Sequence, residues 1–431
     1  MRSRGAALLL VITAIAILTA ISVDLAYESR VSIEAAAGAR DELRATYLAK
    51  SAVGFSRLVL HFQQQLGQAS AAVGQLGQVA QASGLPAQLA QQLQGTLGGG
   101  AGGGTLSIRL WELVPVDSSM TSLFLSRGAR SAAAPPREGA AAAAGTARGF
   151  GDFEGSFHAR IEDEDRKINL PQFNGLGALP AAQLQRFLQL VKDPKYDFLF
   201  DQDDANGIRV NRNDTAAAIK DWVDEDEVSS AVTGNPLTPF EQGFSDENAV
   251  YDRLPDRYKA KNARFDSLEE LFLVAGISDA FMAAFADRLT VYPDVNGQVN
   301  VNTDDPMQIL TNLLVMSDPP GVLQGPLLDP GFPQRFQAAL AQLKPLPFLS
   351  VSPQQFATVA QALGVKIQAV YLQAQNSDNR AVFSDHSSTF HIHATGRAGG
   401  VQKTIDAVVT LDTRAGALAQ DLGRVLHWSE E

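Results

Sequence analysis

The hydrophobic pattern changes character along the chain. An uncharged apolar run extends from Ala6 to Val23 and is closed by Asp24. As a helix it would cover ~27 Å, close to the ~30 Å hydrocarbon core of a bilayer. Arg2 and Arg4 precede it, so the positive-inside rule predicts a cytoplasmic N-terminus and a head outside. A secretory signal peptide would have a shorter apolar core and a small-x-small cleavage site. Here the helical pattern continues past Asp24. No proline interrupts it as far as Phe62, and Leu43, Tyr47, Leu48, Val53, Phe55 and Leu58 recur at roughly helical spacing. One helix from Ala6 to about Phe62 would be ~85 Å long, first membrane-buried and then amphipathic.

The remainder alternates between loop signals, short strands and short helices. Residues 63–104 are rich in Gln, Ala and Gly and end in a glycine loop, and 131–149 form an Ala-rich loop with Pro135 and Pro136. Leu106–Val116 and Phe153–Ile161 predict strands. The segments Asp204-Ala-Asn206-Gly207 and Asp294-Val-Asn296-Gly297 predict tight turns. Helices are expected at Leu184–Val191, at Thr215–Val223 and after Ser352-Pro353. Ser267–Ala275 reads as a capped helix, with Gly276 opening a hairpin. Thr389–Ala394 and Val401–Leu411 alternate as strands, the second with Ile405, Ala407, Val409 and Leu411 on one face.

These elements predict an α+β fold: a long N-terminal helix packed on an antiparallel sheet, with a large inserted helical domain. The expected divisions are a leader at 1–5, a transmembrane part at 6–26, an amphipathic spine at 27–62 and an insertion at 63–104. Strands at 105–170 follow, then a helical domain with an acidic loop at 171–290, a second helical part at 291–385 and C-terminal strands at 386–431.

Composition narrows the function. The chain has 431 residues, 45% hydrophobic, and its 47 acidic residues outnumber 35 basic ones for a net charge of −12. That balance argues against a nucleic-acid partner. The absence of cysteine excludes disulfides, zinc–thiolate sites and a thiol nucleophile. The densest acid cluster is Asp221-Trp-Val-Asp224-Glu-Asp226-Glu227, followed downstream by Asp246 and Glu247. Like charges in such a run are either solvated or neutralised by a cation. Calcium, with 6–8 oxygen ligands, suits irregular acidic loops. Asp201, Asp203 and Asp204 form a second acidic group. It is not an EF-hand loop, because Gln202 and Asn213 would take the first and twelfth places. Ser384-Asp385-His386 has triad residue types, but triads are assembled across a fold. His391 and His393 would share one strand face and, with His386, hold a metal; the alternative is the exposed polar face of an edge strand. No Walker loop, His-Glu-x-x-His or Gly-x-Ser-x-Gly motif is present, so a non-enzymatic role is expected.

A very short basic leader ending in Gly5, followed at once by the apolar helix, resembles the class III leader of type IV pilin-like proteins. The resemblance implies a prepilin peptidase cut between Gly5 and Ala6 and methylation of Ala6. Most members have Glu as the fifth mature residue; here that position is Leu10. The resemblance sharpens along the head. Lys167-Ile-Asn-Leu170, the Asp-Trp loop at 221–227, Tyr258-Lys-Ala-Lys-Asn262-Ala, Leu273-Val-Ala-Gly-Ile277 and Val299-Asn-Val-Asn-Thr303 are similar to segments of the type II secretion minor pseudopilin K. That family also lacks the Glu. A subunit at the tip has none above it to pair with, so a carboxylate buried in lipid would only cost energy. The resemblance implies a periplasmic head on a single-pass inner-membrane anchor, partners among the other minor pseudopilins (the I and J types) and a place at the pseudopilus tip. It also implies bound calcium, with Asp221, Asp224, Asp226, Asp246 and Glu247 as candidate ligands. Two other readings remain: a membrane-tethered DNA-uptake protein using the helix-hairpin unit at 267–290, and an anchored periplasmic hydrolase. The latter would need a pocket gathering His386, His391 or His393 with a carboxylate.

Overall fold

The structure, a computed structural model, describes residues 3–76, 109–113, 115–118, 154–175, 179–200, 211–235, 238–293, 297–344, 350–373, 382–411 and 422–431. The glycine loop, the Ala-rich loop, Asp201, Asp203, Asp204 and the turns at Asn206 and Asn296 lie outside these residues.

Helix α1 runs from Ser3 to Leu76, longer at both ends than predicted. Strand β1 (Val116–Asp117) and β2 (Ser156–Asp163) follow. The helical part opens with β3 (Ile168–Asn169), α2 (Leu179–Val191) and α3 (Arg212–Val223). A hairpin of β4 (Val228–Val232) and β5 (Phe240–Asp246) leads to α4 (Asp279–Phe285) and β6 (Leu289–Thr290). Then come β7 (Val299–Asn300), α5 (Pro306–Met316), α6 (Phe332–Leu343), α7 (Pro353–Ala362) and β8 (Phe383–Ser384). The chain closes with β9 (Thr389–Ala398), β10 (Val401–Thr410) and β11 (Arg424–Glu430).

The main sheet is antiparallel in the order β1-β2-β9-β10-β11. Alternation along β9 puts Phe390, Ile392, Ala394 and Ala398 on one face, where they are buried. Helix α1 covers that face with Ala45, Leu48, Ala49, Ala52, Val53 and Leu60, a stripe at three- and four-residue spacing. The earlier part of α1 is different. Val11, Ile15, Leu18, Ile21, Val23 and Leu25 are exposed, and the helix is long and apolar enough to cross a membrane.

Two further cores fill the head. One gathers Phe173, Phe187, Trp222, Tyr251, Phe281 and Phe285 around α2, α3 and α4. The other gathers Leu313, Phe332, Phe336, Phe356 and Phe383 around α5, α6 and α7. Short parallel pairs, β3 with β6 and β7 with β8, tie segments distant in sequence.

Several expectations are corrected. Leu106–Val116 is not a strand where described: Leu110–Leu113 forms one helical turn and only Val116 pairs. That turn sets Trp111 edge-on against Phe390 with ring centroids 5.9 Å apart, a tertiary contact that outweighs a short alternating run. The capped helix at Ser267 is a 3-10 helix, Leu268–Leu273, and the Ser267 side chain caps nothing. The capping serine is Ser278, whose hydroxyl accepts from Phe281 N at 3.2 Å to start α4. The stretch after the acid cluster, read from the sequence as a loop, forms the β4–β5 hairpin. Finally, β9 is the central strand of its sheet, so His391 and His393 do not lie on an edge.

Candidate metal centre

Helix α3 starts at Asn211, whose side chain accepts from the Asn213 and Asp214 amides, and ends at Asp224. Asp221 and Asp224, three residues apart, share one face of its last turn. This is the negative end of the helix dipole, where a carboxylate is disfavoured without a cation. The hairpin returns the chain, and Glu247 N donates to Glu227 O at 3.4 Å. Glu247 thereby joins the two aspartates. One carboxylate oxygen from each of Asp221, Asp224 and Glu247 lies within 4.8 Å of the others.

All three side chains are buried, with Glu247 and Asp224 each only 4% exposed. Ser230 N donates to Asp221 Oδ1 at 2.8 Å, and Lys220 Nζ pairs with Asp224 Oδ2. Asp224 Oδ1 and both oxygens of Glu247 have no hydrogen-bond partner among the described residues. Burial, with Asp224's charge added, pushes the Asp221 carboxyl up to about 6, although Ser230 opposes it. Burial and the neighbouring aspartates push Glu247 up to about 7, with Asn262 pulling the other way. Asp224 is also raised, mainly by burial. Three carboxylates facing one lysine, with orphaned oxygens between them, fit a hard divalent cation.

Asp226 and Asp246 stand outside this group. Asp226 Oδ1 accepts from Val228 N, and Asp246 Oδ1 accepts from Asn248 N, both at 2.8 Å. The sequence reading missed Asn262. It adopts φ +50, and its Nδ2 donates to Asp226 O at 2.8 Å. Its buried Oδ1 has no partner among the described residues, a further oxygen beside Glu247. The signal available was an asparagine in a non-helical run, a residue that tolerates positive φ. Behind the site Trp222 packs against Tyr251 and Tyr258 and donates to Glu270 at 3.1 Å.

The Ser384-Asp385-His386 run places His386 Nδ1 2.6 Å from Asp385 and 3.4 Å from Ser384 Oγ. His386 is not grouped with His391 and His393, which cluster instead with Asp406.

A long helix, apolar and exposed in its first described part, is seated further along on an antiparallel sheet and is followed by a helical insert, the α+β arrangement expected from the sequence. Residues 166–294, which hold the Lys-Ile-Asn-Leu strand, the acidic site and α4, match the family model described as type II secretion system (T2SS), protein K. That stretch of the chain is similar to the protein K domain. No curated protein matches it. Among solved structures, a chain from the GspK-GspI-GspJ complex of the enterotoxigenic Escherichia coli type 2 secretion system is similar at 16% identity and a TM-score of 0.40. The alignment covers 64% of this chain and 80% of that one.

Proposed function

We propose that this protein is the tip subunit of a type II secretion pseudopilus, held in the inner membrane by α1 with its head in the periplasm. The observation that carries this reading is a protein K domain joined to an apolar helix that the head leaves uncovered. Before assembly the apolar half of α1 is stored in lipid, where its surface costs nothing to expose. Its partners are the I- and J-type minor pseudopilins, whose own helices would replace lipid around α1 as the tip forms. The tip then starts the short pseudopilus that moves folded proteins through the outer membrane.

Processing by prepilin peptidase between Gly5 and Ala6, with methylation of Ala6, belongs to the same reading. Calcium belongs to it as well: Asp221, Asp224 and Glu247 would hold the ion, with the Asn262 amide oxygen close by. A bound cation supplies the positive charge that these buried carboxylates lack. This chain's own residues do the rest: they fix the end of α3 to the β4–β5 hairpin and to the segment around Asn262. The DNA-uptake reading is not favoured, since the first element of its hairpin is a 3-10 turn bearing Glu269 and Glu270.

The test is expression with and without a prepilin peptidase, reading the N-terminal peptide by mass spectrometry. A chain starting at methylated Ala6 only when the peptidase is present supports the reading. An intact Met1, or a cut near residue 25, sinks it.

A further inference from the structure

The sheet face opposite α1 carries a second cluster, unrelated to the acidic site. His391 and His393 alternate on β9 and point to this face. Asp406 on β10 is the direct cross-strand partner of His393, and Glu162 on β2 is that of His391. The two imidazoles stack with centroids 4.0 Å apart. Asp406 Oδ1 lies 3.7 Å from His391 Nε2 and hydrogen-bonds His393 Nδ1.

The outward nitrogens are held separately. His391 Nδ1 lies 3.3 Å from Glu164 and His393 Nε2 lies 3.8 Å from Glu162. Those two glutamates have their own cations: Lys167 is 2.5 Å from Glu164, and Arg160 is 3.0 Å from Glu162. Asp406 has only the two histidines as ion partners among the described residues. His391 Nε2 is shielded from solvent and has no hydrogen-bond partner among them.

We infer that His391 Nε2, His393 Nδ1 and Asp406 form a binding site for a divalent transition metal of the zinc type. Two ligands of one tetrahedral zinc, each ~2 Å from the ion, lie about 3.4 Å apart. The 3.7 Å between His391 Nε2 and Asp406 is close to that separation. On metal binding, the His393–Asp406 hydrogen bond gives way to two metal bonds; the Nδ1 proton of a neutral His393 moves to Nε2 by exchange with water, and that of an imidazolium is released to water, leaving Nε2–H towards Glu162 in either case. Glu164 and Glu162 then stand where outer carboxylates stand behind metal-bound histidines, on the ring nitrogen away from the ion. The fourth position is left to water. Imidazole ligands select zinc, nickel or copper over calcium, whereas the acidic site offers only oxygen and suits calcium. The inference is independent of the secretion reading.

The experiment uses the full chain in detergent, without a polyhistidine tag and stripped with chelator. Cobalt is added and followed by visible absorbance, and zinc is then titrated calorimetrically. The expected result is one equivalent of zinc displacing tetrahedral cobalt. His391→Ala and Asp406→Asn should abolish both signals, while Asp224→Asn keeps them. Glu162→Gln, which changes only an outer carboxylate, should weaken zinc about 10- to 100-fold. Circular dichroism checks folding, and Asp406→Asn keeps the side-chain volume should His391→Ala misfold. No zinc bound at about 100 µM, or zinc retained by His391→Ala and Asp406→Asn alike, would overturn the inference.

Discussion

Gly396 on β9 and Ala45 on α1 meet backbone to backbone: a Cβ built on Gly396 would lie 2.1 Å from Ala45 O and 2.5 Å from Ala49 N. The spine is seated on the sheet through this absence of a side chain, and the small Ala45, Ala49 and Ala52 face it.

Gly396→Ala should therefore lift α1 from the sheet. Overpacking of this kind costs roughly 1–3 kcal/mol, and more where only backbone can yield. Thermal unfolding of the detergent-solubilised chain would show the loss. Gly400→Ala, where an added Cβ meets nothing within 4 Å, should stay within about 0.5 kcal/mol of the parent.

Calcium should stabilise the fold by about 2.7 kcal/mol when the ion is present at about 100 times its dissociation constant, read as a raised unfolding midpoint. Glu247→Gln should do two opposite things. It removes a buried charge pressed against Asp221 and Asp224, so the calcium-free protein becomes more stable. It also removes a ligand, so the increment on adding calcium shrinks. Paired melts with calcium and with chelator read both effects, and an unchanged increment in the variant would count against the site.

Where β2 ends, Asp163 and Asp165 are buried together against the start of β9. Asp165 Oδ2 accepts from Ser388 N at 2.6 Å, and Asp163 accepts from the Ser387 hydroxyl. Burial, then the charge of Asp163, raises the Asp165 carboxyl well above its ordinary value. A raised carboxyl keeps its proton in the folded state after the unfolded chain has lost it. Its contribution is thus favourable at low pH and falls as pH rises from about 4 towards the raised value. Asp165→Asn should flatten this part of the stability profile, measured by urea unfolding at a series of pH values.

The N-terminus of α7 is closed by a capping box. Gln355 N donates to Ser352 Oγ, and Ser352 N donates to the Gln355 side chain. Ser352→Ala should cost about 1 kcal/mol without changing the calcium response, as chemical denaturation with and without the ion would show.

Some of this molecule was legible in the order of its residues. The apolar run and the three- and four-residue spacing beyond it announce α1. Strict alternation announces β9 and β10, with Ile405, Ala407, Val409 and Leu411 all buried as expected. Those signals are local, because helix and strand periods are properties of consecutive residues. The residue types that could hold calcium were also visible as a run of acids. What only the tertiary structure decided is which residues meet. The hairpin brings Glu247, not its neighbour Asp246, to Asp221 and Asp224, since adjacent residues there point different ways. Asn262 arrives through a positive-φ turn that no periodicity signals. Asp406 meets His391 and His393 because strand pairing sets the register, and the central place of β9 follows from pairing on both sides. Register, strand order and the closing of long loops depend on which distant surfaces exclude water best, and a linear pattern does not contain that competition.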